Sequence, residues 1–373
     1  MKAILSEPSS SSDWNNLGNS IGTGEKVTVA GRSYTKRDCY LRSLKLDANS
    51  GQVWSNLGST LVKGERVRVG LKSYTDKECY LRAVGLSPTE STIWVNLGYS
   101  LKVGEAITVA GMTGTKRECF AMALELDRGN TRAWLLLGDT IGIGETITVL
   151  GRPTTRRDCY LRVLEISPDD HRAWHNLGKS LRGKEMANVA REPRTKLDCY
   201  KIATELKPDE SHVWTDLGAA MGTRTTVEVA GMSYTKRTCF LRALELDPNN
   251  GYAWVNLATT MDLDETILVG GKSVTKLACA KIGVELQPDY SIAWSNLAWA
   301  MRGVRTVSVA GLAYTVPHCL HKALELDPNN PRAWEGLSRI IKPGRNISVG
   351  GTLYSAEECR LKALQLDPAR RLR

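Results

Sequence analysis

The sequence predicts a mainly α-helical solenoid in which every unit carries a short β-hairpin. Three observations predict it. Tryptophan stands at 14, 54, 94, 134, 174, 214, 254, 294 and 334, and cysteine at 39, 79, 119, 159, 199, 239, 279, 319 and 359. Both series keep a period of 40 residues with no insertion or deletion. Within each period the apolar spacing runs helical, then alternating, then helical again. Self-similarity of this kind marks a stacked array whose units touch only their neighbours, without a central core. The 373 residues divide into units at 11–50, 51–90, 91–130, 131–170, 171–210, 211–250, 251–290, 291–330 and 331–370, with tails at 1–10 and 371–373. The Ser9–Ser12 run reads as part of a disordered tail.

The unit at 211–250 shows the elements in order. Trp214, Leu217, Gly218 and Met221 fall at i, i+3, i+4 and i+7, one face of a helix, termed helix A. Gly218, without a side chain, lets a second helix come close. Val227 and Val229 then alternate with polar residues, and Ala230-Gly231 supplies a two-residue hairpin turn. That loop length sets Val227 opposite Tyr234, and the same pairing predicts Val27/Tyr34, Val67/Tyr74, Val307/Tyr314 and Ile347/Tyr354. Thr235 caps a second helix, B. Equivalent caps stand at Thr35, Thr75, Thr115, Thr155, Thr195, Thr275, Thr315 and Ser355, most with Asp or Glu three residues on, the capping-box spacing. Cys239, Phe240, Ala243 and Leu244 form the buried face of helix B, and Asp247-Pro248-Asn249-Asn250 turns the chain into the next unit.

This unit resembles a tetratricopeptide repeat lengthened by a hairpin. Trp254-x-x-Leu257 matches the start of that family's pattern, and Phe240, Ala243 and Pro248 match its second half. The resemblance runs through all nine units and implies a right-handed superhelical solenoid whose A helices line a concave groove for protein or peptide partners. Two departures stand out. Aliphatic residues or Met (Ile21, Leu61, Met221, Met301) replace the aromatic at the end of helix A. Lys or Arg (Lys36, Lys116, Arg156, Lys196, Lys236, Lys276) replaces the small residue early in helix B, where the hairpin is expected to re-angle the helix.

The net charge of +10 favours acidic partners. One cysteine per unit, with no Cys-x-x-Cys or Cys/His pair at metal-ligand spacing, reads as reduced packing thiols and an intracellular, cytoplasmic setting. The opening residues contain no signal-length apolar run, and no segment reaches the 18 apolar residues of a membrane span. No cofactor or metal is expected, and no catalytic set stands out from the repeat background, so the chain reads as a non-enzyme.

Counting 100° per residue from the repeat tryptophan, the groove positions are two before it and one, two and five after it. They select Arg132, Leu135, Leu136, Arg172, His175, Lys179, Tyr99, Tyr252 and Trp299, with Arg182 following repeat 5's helix A. Repeat 5 gathers the basic residues and has an irregular hairpin at Ala187, Pro193 and Arg194. It reads either as a solvated charged face or as an anchor for carboxylates or phosphates. Asn16, Asn56, Asn96, Asn176, Asn256 and Asn296 match one position of the family's carboxylate clamp, but no Lys follows any repeat tryptophan, so the clamp is incomplete. A basic ladder (Lys36-Arg37, Lys116-Arg117, Arg156-Arg157, Lys236-Arg237) opens helix B, where cations oppose the helix dipole. It either pairs with Glu25, Glu65, Glu105 or Glu145, or forms an edge stripe for an acidic partner. The leading expectation is a scaffold that holds an acidic peptide or protein segment. Nucleic-acid binding through the ladder is the alternative, with an accessory region of a larger enzyme behind it. Arg360, in place of an aromatic, reads as a partial cap on the last helix, and the near-bare ends suggest a fragment of a longer protein, end-to-end self-association or a partner on the terminal face.

Overall fold

A computed structural model describes residues 8–367. Among these, helix A, a two-stranded hairpin and helix B follow one another nine times, giving eighteen helices and nine two-stranded sheets. The contacts form two compact units. One runs through Ser180 and includes Val189–Glu192; the other comprises Leu181–Asn188 and the chain from Pro193 onward. Within each unit, helix A packs on helix B of its own repeat, and helix B packs on helix A of the next.

Repeat 6 illustrates the local logic. Helix A spans Ser211–Ala220, the hairpin strands Thr226–Val229 and Met232–Thr235, and helix B Lys236–Leu246. Trp214 is buried, with its ring centroid 4.6 Å from that of Tyr234. Its indole N–H donates to the Pro208 carbonyl at 2.9 Å. All nine repeat tryptophans make this bond to the carbonyl six residues earlier. A buried N–H without an acceptor is costly, so the ring and the turn before it recur together.

Gly218 sits where helix B comes closest: a Cβ there would lie 2.7 Å from Phe240. Gly18, Gly58, Gly98 and Gly138 face Tyr40, Tyr80, Phe120 and Tyr160 in the same way. Repeat 7 instead has Ala258 and Ala280 at these two positions, both buried. The small side and the large side thus exchange volume.

The hairpin registers place Val27, Val67, Val227, Val307 and Ile347 opposite Tyr34, Tyr74, Tyr234, Tyr314 and Tyr354. At the repeat 6 turn both central residues are left-handed, Ala230 at φ 49° and Gly231 at φ 77°. Two positive φ values match the turn to strand twist. Thr235 accepts from the Thr238 N–H, and capping boxes pair Thr35 with Asp38, Thr75 with Glu78, Thr115 with Glu118, Thr155 with Asp158, Thr195 with Asp198 and Ser355 with Glu358.

The Ser9–Ser12 run departs from the expected tail. Ser10 caps helix A of repeat 1, Ser11–Ser20, and the Pro8 carbonyl accepts from Trp14. A serine run ahead of an apolar helical face satisfies the free N–H groups of the first turn. Residues 1–7 of the expected 1–10 tail, and the expected 371–373 tail, lie outside the described residues.

All nine cysteines are free and buried. Burial pushes the Cys39 and Cys359 thiols up to about 11 and the other seven up to about 12. They are therefore protonated packing groups at neutral pH. No described helix is long and apolar enough to cross a membrane.

Candidate functional site

Helix A presents its residues two before and five after the tryptophan to solvent, except that Trp299 and Arg332 are half-buried. The residue two after it is mostly half-buried, and the residue one after it is buried in seven of the nine repeats. Two expected groove residues are corrected on this ground: Leu135 is 5% exposed and His175 7%. At repeats 2 and 7 helix A of the next repeat reaches this flank, which a wheel drawn on one helix does not show. Asn96 Nδ2 donates to Ser55 Oγ at 3.1 Å, and Asn296 Nδ2 donates to the Val255 carbonyl at 3.3 Å. Asn56 reaches Asn15 (2.9 Å) and Asn176 reaches Asp139 (3.1 Å) in the same manner. These amides tie successive A helices together.

In the first unit Tyr99 is 62% exposed. It borders a cavity of about 520 Å³ with Lys116, Phe120 and half-buried Leu136, and one of about 640 Å³ with Lys116 and Arg132. Arg132 Nη1 donates to Asn96 Oδ1 at 3.1 Å. Arg172 and Lys179 are exposed on helix A of repeat 5, but Arg172 turns back to Asp170 at 3.1 Å. Arg182 is exposed in the second unit, where its backbone N–H donates to Glu185 Oε2 at 3.1 Å. Exposed Tyr252 meets Tyr290 edge-on at 5.0 Å.

Trp299 lines a cavity of about 840 Å³ within the second unit. Val316, Leu320 and Ile340 give it apolar walls, and Lys276, Arg302, Arg305, Arg332 and Arg339 bring positive charge. The Arg339 and Arg332 guanidiniums stand 4.5 Å and 5.3 Å from the centre of the Trp299 ring. The indole N–H donates to the Arg332 carbonyl at 3.3 Å, and Glu335 holds Arg339 at 2.7 Å. Lys276 Nζ donates to the Met261 carbonyl at 2.8 Å. Burial first, then the nearby Arg332 charge, lowers the affinity of Lys276 for its proton. Aromatic and guanidinium groups around an apolar hollow are what hot spots of protein recognition are made of.

The basic ladder turns out to hold neighbouring repeats together. Arg37 pairs with Glu65 of the next repeat at 2.6 Å and donates to the Thr60 carbonyl, at the end of the next helix A, at 2.5 Å. Arg117 and Arg237 repeat the arrangement with Glu145 and the Thr140 carbonyl, and with Glu265 and the Thr260 carbonyl. Lys77 pairs with Glu105 at 2.5 Å. At repeat 6 the lysine before the arginine closes its own repeat: Lys236 donates to the Met221 carbonyl at 3.1 Å. There the two adjacent cations that oppose one helix N-terminus, Lys236 and Arg237, thus neutralise the C-termini of two A helices, one each.

This clamp is lost in pairs. Where the basic member becomes Leu197, Leu277 or Pro317, the acidic member 28 residues later becomes Thr225, Arg305 or Arg345. The shared 28-residue offset was the available sequence signal, and only the structure shows that the offset means contact.

The Arg37 and Arg237 hydrogen bonds hold the Glu65 and Glu265 carboxyls below the usual carboxylate range. Because the folded-state value is depressed, this stabilisation is present above the unfolded value and is lost as pH falls through the folded one. Arg237→Ala should therefore lower the unfolding midpoint at neutral pH, with the gap from the parent shrinking on acidification. Parallel melts at neutral and acidic pH check this, and a gap that grows with acid would contradict it.

The tetratricopeptide repeat family matches residues 239–275, which join helix B of repeat 6 to the hairpin of repeat 7. No curated protein matches the sequence. Among solved structures, the chain resembles one in the crystal structure of the APC/C hetero-tetramer Cut9-Hcn1. The TM-score is 0.50 with 16% identity, covering 82% of this chain and 52% of that one. This chain thus spans about half the length of the structure it matches, and the likeness is one of fold. Nine helix–hairpin–helix units, the match over residues 239–275 and the likeness in fold together describe a solenoid of tetratricopeptide-like repeats.

Proposed function

We propose that the chain is a non-catalytic scaffold that holds an acidic protein segment against its A helices, in a reducing, cytoplasmic setting. The observation that carries this reading is the Trp299 cavity, where an apolar floor lies among guanidinium groups. Such a site rewards a partner that brings a buried side chain and negative charge together. The remaining exposed basic residues on helix A, including Lys179, extend the same preference.

Selection of displayed random peptides on the full chain tests the reading. Enrichment of sequences that combine Asp or Glu with an apolar residue is expected, as is loss of binding when the acids are replaced by their amides. Enrichment without acidic bias would overturn the acidic specificity. Tighter binding of single-stranded RNA, with a steep salt slope, would replace it with nucleic-acid recognition.

A further inference from the structure

We infer that the lost clamp between repeats 7 and 8 has become the selectivity element of the Trp299 site. Arg305 and Arg302 receive carboxylates that flank one aliphatic or aromatic residue of the partner, and that residue enters the cavity. This deepens the scaffold reading and rests on it.

The position of Arg305 carries glutamate in six of the nine repeats, at 25, 65, 105, 145, 185 and 265. In the clamped repeats that carboxylate faces the base of the preceding repeat and folds back on its own turn, as Glu65 does on the Val62 N–H at 2.9 Å. At the 7/8 junction the charge is reversed, and the base that would repel it is replaced by Leu277. The paired change turns a self-satisfied position into an outward cation. Arg302 and Arg305 are exposed, and neither makes an ion pair or side-chain hydrogen bond among the described residues.

The apolar half of the site is equally specific to this place. Val316 stands where the other repeats carry Lys, Arg, Asp or Ala. Gly336 leaves room for Leu320, which a Cβ there would meet at 2.6 Å. The Arg332 and Arg339 guanidiniums both lie over the Trp299 ring, and Glu335 already engages Arg339. The nearby carboxylate Glu265 is taken by Arg237. Exposed Asp262 and Asp264 flank the lining residue Leu263, but neither pairs with Arg302 or Arg305 among the described residues, which leaves both guanidiniums to an incoming anion. A hollow of about 840 Å³ accommodates a large side chain with its flanking backbone.

The test uses the full chain and a short fluorescein-labelled peptide of glutamates around one central leucine. Its glutamine analogue and its leucine-to-alanine analogue are measured beside it by anisotropy. The acidic peptide should bind, and each analogue should bind about tenfold more weakly or worse, a difference of about 1.4 kcal/mol. R302E/R305E should lose the acidic peptide to a similar degree. So should L277R/R305E, which rebuilds the clamp and should melt no lower than the parent, separating loss of the site from loss of the fold. Trp299→Ala should abolish the distinction between leucine and alanine peptides. Acidic-peptide binding that survives both arginine variants but is lost in R172E/K179E would overturn this inference while leaving the acidic-scaffold reading in place at repeat 5. Equal binding of acidic and amide peptides, or none, would overturn both.

Discussion

Trp214→Ala is expected to destabilise the second unit by about 3–5 kcal/mol, the cost typical of emptying a buried tryptophan site. The ring is buried against Tyr234, and its N–H is spent on the Pro208 carbonyl. The substitution therefore removes packing from helix A, the hairpin and the inter-repeat turn together. Because each layer is stabilised by its neighbours, the loss should spread. Hydrogen exchange should rise first across repeats 6 and 7, and the denaturant midpoint should fall. Trp214→Phe separates the two contributions: it keeps much of the apolar surface and forfeits the hydrogen bond, about 1 kcal/mol. Exchange that stays unchanged outside helix A would show that the ring does not couple the turn to the hairpin.

Gly218→Val should cost about 1–3 kcal/mol, the usual penalty for overpacking a closed contact. Even a single Cβ here would lie 2.7 Å from the Phe240 ring, so helices A and B would have to separate. The remedy is present in the chain: repeat 8 has Ala298 and Leu320 where repeat 6 has Gly218 and Phe240. Gly218→Ala combined with Phe240→Leu should therefore be less destabilising than the sum of the two single changes. A double-mutant cycle in urea measures that coupling. Strict additivity would mean that the two positions do not share volume.

Much of this architecture was legible from residue order, because most of its determinants are local or strictly periodic. The capping threonines act on N–H groups three residues away, and the two-residue turns set the register of every valine–tyrosine pair. The buried face of each helix repeats with the tryptophan and the cysteine. The candidate site was legible only in part. Trp299 and Tyr99 stand out as aromatics at an otherwise variable position. The burial of Leu135 and His175 is not given by a wheel drawn on one helix. The role of the lysine–arginine doublets depends on carbonyls at the ends of two A helices, and their glutamate partners lie 28 residues away.

By itself, then, the sequence determined the repeat, its helix–hairpin–helix content, the caps, the registers and the buried face of each element. All of these follow from interactions within a few residues or from exact recurrence. Tertiary structure decided which flank of helix A is covered, which cations are consumed between repeats, and where a cavity with outward guanidiniums is left. Those outcomes depend on the neighbouring layer, where a charge is satisfied or left free by a partner that no local pattern specifies.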